Sequence, residues 1–576
     1  MKRNTLTTAV VAGLTGMAGM VSVSNAVNVS PDGTGQVLLY PYYSARGGND
    51  TLISIVNTTD RGKAVKIRFR EAVNSRDVLD FQLYMSAYDV WTGAVTATDE
   101  GGAKIVTSDT TCSVPYLFGD FDGEQAFLDF DYNFAGNASN KKLDATIDGG
   151  PTGIERTASG YIEVIEMATM IEHASRAEAE EKVANEFTGA VEDAASYVSW
   201  ATKHVNGVPN NCDALVDAWT SDASPALPLA GAWLSSPETG FSGGPSGGLF
   251  GAASIINVAD GTMFSYNATA IDNFIAENKH SAPGDERPNL RQDGDITYSN
   301  VFFNNGVVGF EDGEEGETSD NNPDIVNSHW TLNALSGEKW GEKNDSYAGL
   351  GPMLALNAAL TAESISNEFA TDASAGAKTE WVVTFPTKRF HVDTALAPLA
   401  PFTSAWSKTE ASCHEVETEF YDREEGTVST AAQEPVFSPA DPTDTSNPFE
   451  LCREANVIRF ASDDSYPDAT EILKEPKRAD TPHGYNNAEV PMANGWAKVS
   501  MASYSSVAAD KTSGGPEDAL SDTDGFETPQ KNTYDGLPVI GFAVTTYTNG
   551  NIGDGVLSNY GGTFAHRTAR NISSSG

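Results

Sequence analysis

The chain has 576 residues, with 36 Lys and Arg against 80 Asp and Glu, a formal charge of −44. A surface this acidic repels nucleic acid and anionic membranes, and favours cations, basic partners or simple solubility. The acidic residues run the length of the chain, which excludes a neutral protein with a disordered acidic tail.

Residues 1–26 read as a cleaved export signal. Lys2 and Arg3 give a positive start, Leu6 to Val23 is small and uncharged, and Ser24-Asn25-Ala26 puts small residues where a signal peptidase reads. Position 27 is Val rather than the Cys of a lipoprotein. No later segment reaches the roughly 18 uninterrupted apolar residues of a spanning helix, so no transmembrane span is expected. The tail, Asn571 to Gly576, is polar and lacks the terminal aromatic of an outer-membrane barrel. The expected location is the periplasm, the cell surface or the extracellular medium.

From residue 27 on, short strand patterns follow one another. Gln36 to Tyr43 and Thr51 to Asn57 are apolar runs bounded by Gly and Asn. Ala64 to Arg70 alternates, with Val65, Ile67 and Phe69 on one face and Lys66, Arg68 and Arg70 on the other. Leu79 to Met85 alternates too, and the basic stripe is expected to pair with Asp80 across the sheet or to bind something acidic. Four such strands predict an immunoglobulin-like sandwich over 27–110. Residues 100–158 are Gly- and Asp-rich and poorly patterned; Gly160 to Met167 returns as a strand.

A helical insertion is expected over about 170–220. Glu172 to Phe187, Val191 to Val205 and a short helix with Cys212, Leu215 and Trp219 on one side keep helical spacing. SIINV and TMFSY around Ala259-Asp260-Gly261 read as a hairpin. Residues 280–350 are polar, with an acidic loop at Glu311 to Glu317; Met353 to Thr361 reads as a helix. Trp381 to Val392 reads as one strand with a bulge at Pro386. Residues 394–455 read as a long surface excursion. Asn456 to Phe460, Gly495 to Met501 and Pro538 to Tyr547 supply the last strands, and Asn549-Gly550 a turn. The fold expected is mainly β with a helical insertion: an N-terminal sandwich within or beside a larger β-rich region over 111–576.

The four cysteines, Cys112, Cys212, Cys413 and Cys452, suggest two disulfides in an exported chain. Three pairings are open, and Cys112–Cys212 with Cys413–Cys452 keeps each pair in its own half. A zinc site from Cys413, His414 and Cys452 is the weaker alternative.

Catalytic signals are thin. Gly244-Pro245-Ser246-Gly247-Gly248 matches G-x-S-x-G, but no buried strand precedes it and no helix follows, as a nucleophile elbow requires. The eight histidines are scattered without H-E-x-x-H spacing. Asp120, Asp122, Glu124, Asp129 and Asp131 offer hard oxygen ligands for calcium without completing an EF-hand loop. Phosphate-loop, dinucleotide and haem motifs do not occur. Nine Trp and nineteen Tyr are enough for a sugar-binding platform, although most large aromatics build cores.

Gly35 to Tyr43 with GGNDTLISIVNTT, GYIEVIEM, GAASIINVADGTMFSYNA, WVVTFPTKRFHVD at 381–393 and NYGGTFAHR at 559–567 resemble a group of uncharacterised exported proteobacterial proteins described as cell-surface. The resemblance implies export and one extended architecture, and carries no activity or functional residue. The leading expectation is an exported non-catalytic envelope or cell-surface protein with a structural or assembly role. Its partners would be envelope components, glycans or further copies of itself, with no cofactor required. The alternatives are a binding module for glycan, peptide or calcium, and a secreted hydrolase using carboxylates or Ser246.

Overall fold

The computed structural model describes residues 27–129, 150–171, 191–220, 229–290, 351–424, 427–429, 449–510, 530–551 and 557–575, apart from 276, 286, 393–397, 399, 407–410, 464, 478–483 and 491. The chain is mainly β, built from antiparallel sheets with short helices.

The first sandwich pairs a seven-stranded sheet with a six-stranded one. Its core forms because the alternating strands point one set of side chains inward: Val65, Ile67 and Phe69 from Lys63–Glu71 meet Ile53 and Ile55 from Asn49–Asn57 and Trp91 from Val90–Ala97. The sandwich is larger than residues 27–110. Ser159–Thr169 inserts between Val37–Ser44 and Lys63–Glu71, and Leu249–Asn257 pairs with Asn49–Asn57. A boundary near 110 therefore divides no structural unit. Sequence composition changes there, but the hydrogen-bond ladders close only with strands that come much later. The poorly patterned 100–158 stretch also supplies Ala103–Val106 and Cys112–Val114.

The outer face of the seven-stranded sheet is polar and yet buried. Lys66 pairs with Asp80 at 3.4 Å, Arg68 with Asp77 at 3.6 Å and Arg70 with Glu163 at 3.3 Å. The segment around 281–288 lies over this stripe, and Arg68 donates to the carbonyls of Pro288 (2.7 Å) and Asp285 (2.9 Å). The basic stripe is thus used up inside the protein. At the other end of the same face lies the helical insertion. Val198, Ala201, Leu215 and Trp233 pack there on Tyr84, Met167 and Met170, and the Cys112–Cys212 disulfide pins it down. The expected helix over Glu172 to Phe187 and the acidic loop Glu311 to Glu317 lie outside the described residues.

A five-stranded sheet follows, in the order 486–489, 455–461, 377–384, 540–551, 557–565. It is buried on both faces, which is why Trp381-Val382-Val383 reads as a continuous apolar run. Trp381 and Val383 face a second core shared with the sheet built on His414–Asp422, Asn494–Ser500 and Ser364–Ala370. Val382, Phe542 and Val544 face the first sandwich, where Phe542 stacks on Tyr266 at 4.5 Å.

Three expectations need correction. Trp381 to Val392 is not one strand: Ala377–Thr384 ends before Pro386, whose ring cannot donate to the ladder, and Lys388–Val392 is a helix. Residues 394–455 are not only a surface excursion, because His414–Asp422 is an interior strand of the second sandwich. Asn549-Gly550 does not turn the chain; it lies inside Ile540–Asn551, and a register shift falls between Thr548 and Asn551.

The two halves meet on a buried carboxylate. Glu475 accepts from the Tyr42 hydroxyl at 2.6 Å and from Arg453 at 2.8 Å, with Arg46 at 3.4 Å. Burial pushes this carboxyl up, but the two guanidiniums and the hydrogen bonds outweigh it and hold it down at about 2. A folded-state value below the ordinary 4.5 means that the ionised group stabilises the fold above that pH and loses this effect as pH falls towards 2. Glu475→Gln would leave Arg453 buried without its counter-charge and should cost roughly 3–5 kcal/mol. Unfolding followed from pH 7 to pH 2 should show the gap between wild type and variant closing below about pH 4.5.

Candidate functional site

The G-x-S-x-G serine is the first place to look for chemistry. Lys63 and Glu166 lie on neighbouring antiparallel strands, and the loop before Leu249–Asn257 places Ser246 over them. Lys63 Nζ donates to Ser246 Oγ at 2.7 Å and to Glu166 Oε1 at 2.7 Å. The Glu166 carboxylate accepts from the backbone N–H groups of Ser246 and Gly247, both at 2.9 Å. Burial holds the Glu166 carboxyl above the usual carboxylate range, with Lys63 and these two N–H groups opposing the shift only in part. Gly247 and Gly248 take left-handed φ of 73° and 79°, and a Cβ on Gly248 would lie 2.5 Å from Thr59 Cγ2, so the turn requires glycine.

This arrangement is an anchor. A serine nucleophile needs a well-placed neighbour that accepts its proton, whereas Lys63 is a donor to Ser246, and the Glu166 carboxylate, 3.5 Å from the Ser246 hydroxyl, is already held by Lys63 and two backbone N–H groups. An oxyanion hole needs free N–H groups, and those of Ser246 and Gly247 already point at Glu166.

The second cluster of titratable groups lies beside the Cys413–Cys452 disulfide. Lys388 donates to the Ser412 carbonyl at 2.7 Å, Asn357 bonds to His391 at 2.8 Å, and the Thr403 N–H donates to His414 Nε2 at 3.1 Å. Burial pushes Glu454 up and Lys388 down, each to about 8, and drives His414 down to about 2. Lys388, His391, His414 and Glu454 are all fully buried, so no substrate reaches them. Glu450 approaches the two sulfurs, but both are committed to the disulfide and offer no thiolate to a metal.

The acidic stretch around Asp120 does not converge. Asp120 ends a one-turn helix and Glu124 pairs with Lys104. Among the described residues, no three of Asp120, Asp122, Glu124 and Asp129 come within ligand distance of one another, and Asp131 lies outside the described residues.

Open surface features are more informative. A pocket of about 290 Å³ at the junction holds Lys474 and Lys378, but these pair with Asp260 and Glu471. A depression of about 560 Å³ on the six-stranded sheet of the first sandwich is lined by small residues such as Ser54, Thr92 and Ala252 and carries no charge.

A third groove, of about 460 Å³, runs along Ser364–Ala370. Ser366, Asn367 and Glu368 line it together with Trp496 and Arg567, which lie on the two strands flanking Ser364–Ala370, and Phe564. Trp496 lies directly opposite both Glu368 and Tyr421 on the flanking strands and stacks on Tyr421 with centroids 4.1 Å apart. It is 40% exposed and Phe564 is 50% exposed. Among the described residues, neither the Glu368 carboxylate nor the Arg567 guanidinium has an ion pair or a side-chain hydrogen bond. The sequence held one signal for this groove. In Asn494–Ser500 the alternation buries Ala497 and Val499 and leaves Trp496 on the polar face with Lys498 and Ser500.

No known family matches the chain, and neither the curated proteins nor the solved structures offer a match.

The anchor role of Glu166 separates two variants. Ser246→Ala removes one acceptor of a partly buried hydrogen bond and should cost about 1 kcal/mol. Glu166→Gln removes the counter-charge of buried Lys63 and loosens the loop, and should cost roughly 3–5 kcal/mol. Urea unfolding of both variants checks the order. A Ser246→Ala protein as unstable as Glu166→Gln would refute the assignment.

Proposed function

We propose that the protein is exported and acts outside the cytoplasm as a non-catalytic envelope or cell-surface protein. The observation that carries this reading is the closure of all four cysteines into two disulfides, one on each half of the chain. Disulfides of this structural kind persist where the surroundings are oxidising. The residues 1–26 pattern agrees with it. Among the described residues, no helix is long and apolar enough to cross a membrane. The non-catalytic part rests on the site chemistry: Ser246 and its neighbours act as an anchor, and the His391–His414–Lys388 cluster is sealed.

A binding role is the second reading, and the groove beside Trp496 favours it. An exposed aromatic beside a carboxylate and a guanidinium that make no ion pair among the described residues offers a ligand an apolar face together with an acceptor and a donor.

Mass spectrometry of the protein from its native host should find a chain beginning at Val27 with no free thiol. An intact Met1 together with four free thiols would overturn export. Reduction of the purified protein should lower its stability by about 2–5 kcal/mol, the range for losing a native bridge, since Cys112–Cys212 alone spans 100 residues.

A further inference from the structure

We propose that the groove beside Trp496 binds a neutral saccharide chain, an inference that rests on the binding reading above. A groove of about 460 Å³ falls within the roughly 300–1,000 Å³ of small-ligand sites. What selects the ligand is the chemistry of its edge, its wall and its charges.

The edge excludes a peptide that adds as a strand. Arg567–Ala569 pairs only with residues 364–366 of Ser364–Ala370, so the backbone of Glu368 and Ala370 faces the groove side without a strand partner. All four of those backbone groups are nevertheless taken by side chains. The Glu368 N–H donates to Asn367 Oδ1 at 2.9 Å, and its carbonyl accepts from Trp381 Nε1 at 3.3 Å. The Ala370 N–H donates to Thr379 Oγ1 at 3.0 Å, and that hydroxyl donates back to the Ala370 carbonyl at 3.1 Å. Strand addition draws its affinity from free main-chain groups, and here there are none.

The wall fits a sugar ring. Tyr421 backs one face of the Trp496 indole and leaves the other to the groove, which Phe564 also lines. The C–H face of a pyranose is apolar and flat and stacks on such a ring, while its edge carries hydroxyls. Those hydroxyls meet Glu368, which accepts, and Arg567, which donates.

The charges select a neutral chain. Glu368 and Arg567 cancel within the groove. A sulfated or uronic saccharide would therefore gain no net attraction inside the groove and would meet the field of a −44 protein at long range.

Titration calorimetry of the intact, oxidised chain is the test. The probes are neutral gluco-, manno-, galacto- and N-acetylglucosamine oligosaccharides, with uronic and sulfated oligosaccharides and unstructured peptides alongside. At least one neutral series should bind. Trp496→Ala should weaken that binding about tenfold or more, the order expected for truncating an aromatic anchor. Trp496→Phe, which keeps a ring on a folded protein, should retain most of it, and Phe250→Ser on the other sandwich should change nothing. Neutral binding indifferent to Trp496→Ala, or binding confined to acidic saccharides, overturns the proposal. A peptide bound in a Trp496-dependent way replaces the saccharide but keeps the binding reading. No binding of any of the three classes removes both.

Discussion

Buried glutamates hold this structure together. Glu71, Glu163, Glu166, Glu380, Glu454 and Glu475 are all fully buried. An ionised carboxylate leaves water at a cost of several kcal/mol, and that cost is offset only when its oxygens are fully engaged. Loop N–H groups engage Glu71, Glu166 and Glu380, and arginines hold Glu163 and Glu475, while Glu454 keeps one oxygen without a partner and its carboxyl is pushed up to about 8 by burial. Glu71 accepts from the N–H groups of Val73, Asn74 and Arg76 and from Arg156. Glu380 accepts from Ile472 and Leu473, and Glu166 from Ser246 and Gly247. Glu166 and Glu380 stand on strands and reach across to fix the backbone of loops 80 and 92 residues away, whereas Glu71 ties down the turn that follows its own strand. Irregular chain is thereby tied to the sheets without regular secondary structure of its own.

This constraint also divides the chemistry of the molecule. The groups that a survey of motifs singles out, namely Ser246, the histidines near Cys413 and the basic stripe Lys66-Arg68-Arg70, are committed to structure. A hydrogen bond inside a low-dielectric interior strengthens when complete and is expensive when broken, so such groups serve rigidity well and turnover badly. The groups that remain available lie on the outer face of the second sandwich. There the six-stranded sheet presents Trp496 beside an acid and a base that make no ion pair among the described residues. Rigid loops elsewhere and an open, preformed groove here are consistent with recognition by a surface that changes little on binding.

Period-two alternation was a good guide wherever one face was apolar and the other polar, as in Lys63–Glu71 and Asp77–Met85. In His414–Asp422 the alternation is masked, because Glu415, Glu417 and Glu419 make the segment look like acidic loop although Val416, Thr418 and Phe420 are buried. It was over-extended at Trp381, because a doubly buried strand and the helix after it are both apolar and no period separates them. Alternation also says which face a residue takes and nothing about what will cover that face. Lys66 and Arg68 were placed on the correct side of their strand, but their burial depends on the 281–288 segment, some 200 residues away in the chain.

The residues by themselves determined what depends on near neighbours: a mainly β chain, the longer alternating strands of the first sandwich such as Lys63–Glu71 and Asp77–Met85, the hairpin at Asp260-Gly261, and an acidic protein with cysteines enough for two bridges. Such features follow from backbone geometry and burial over a few consecutive positions. Tertiary structure alone decided which strands share a sheet, which glutamates are sealed, and that Ser366, Glu368, Trp496, Phe564 and Arg567 line one groove. Those outcomes depend on contacts between segments far apart in the chain, as in Glu368 with Trp496 and Ser366 with Arg567, and hydrogen-bond ladders of that range leave no periodic trace in either segment.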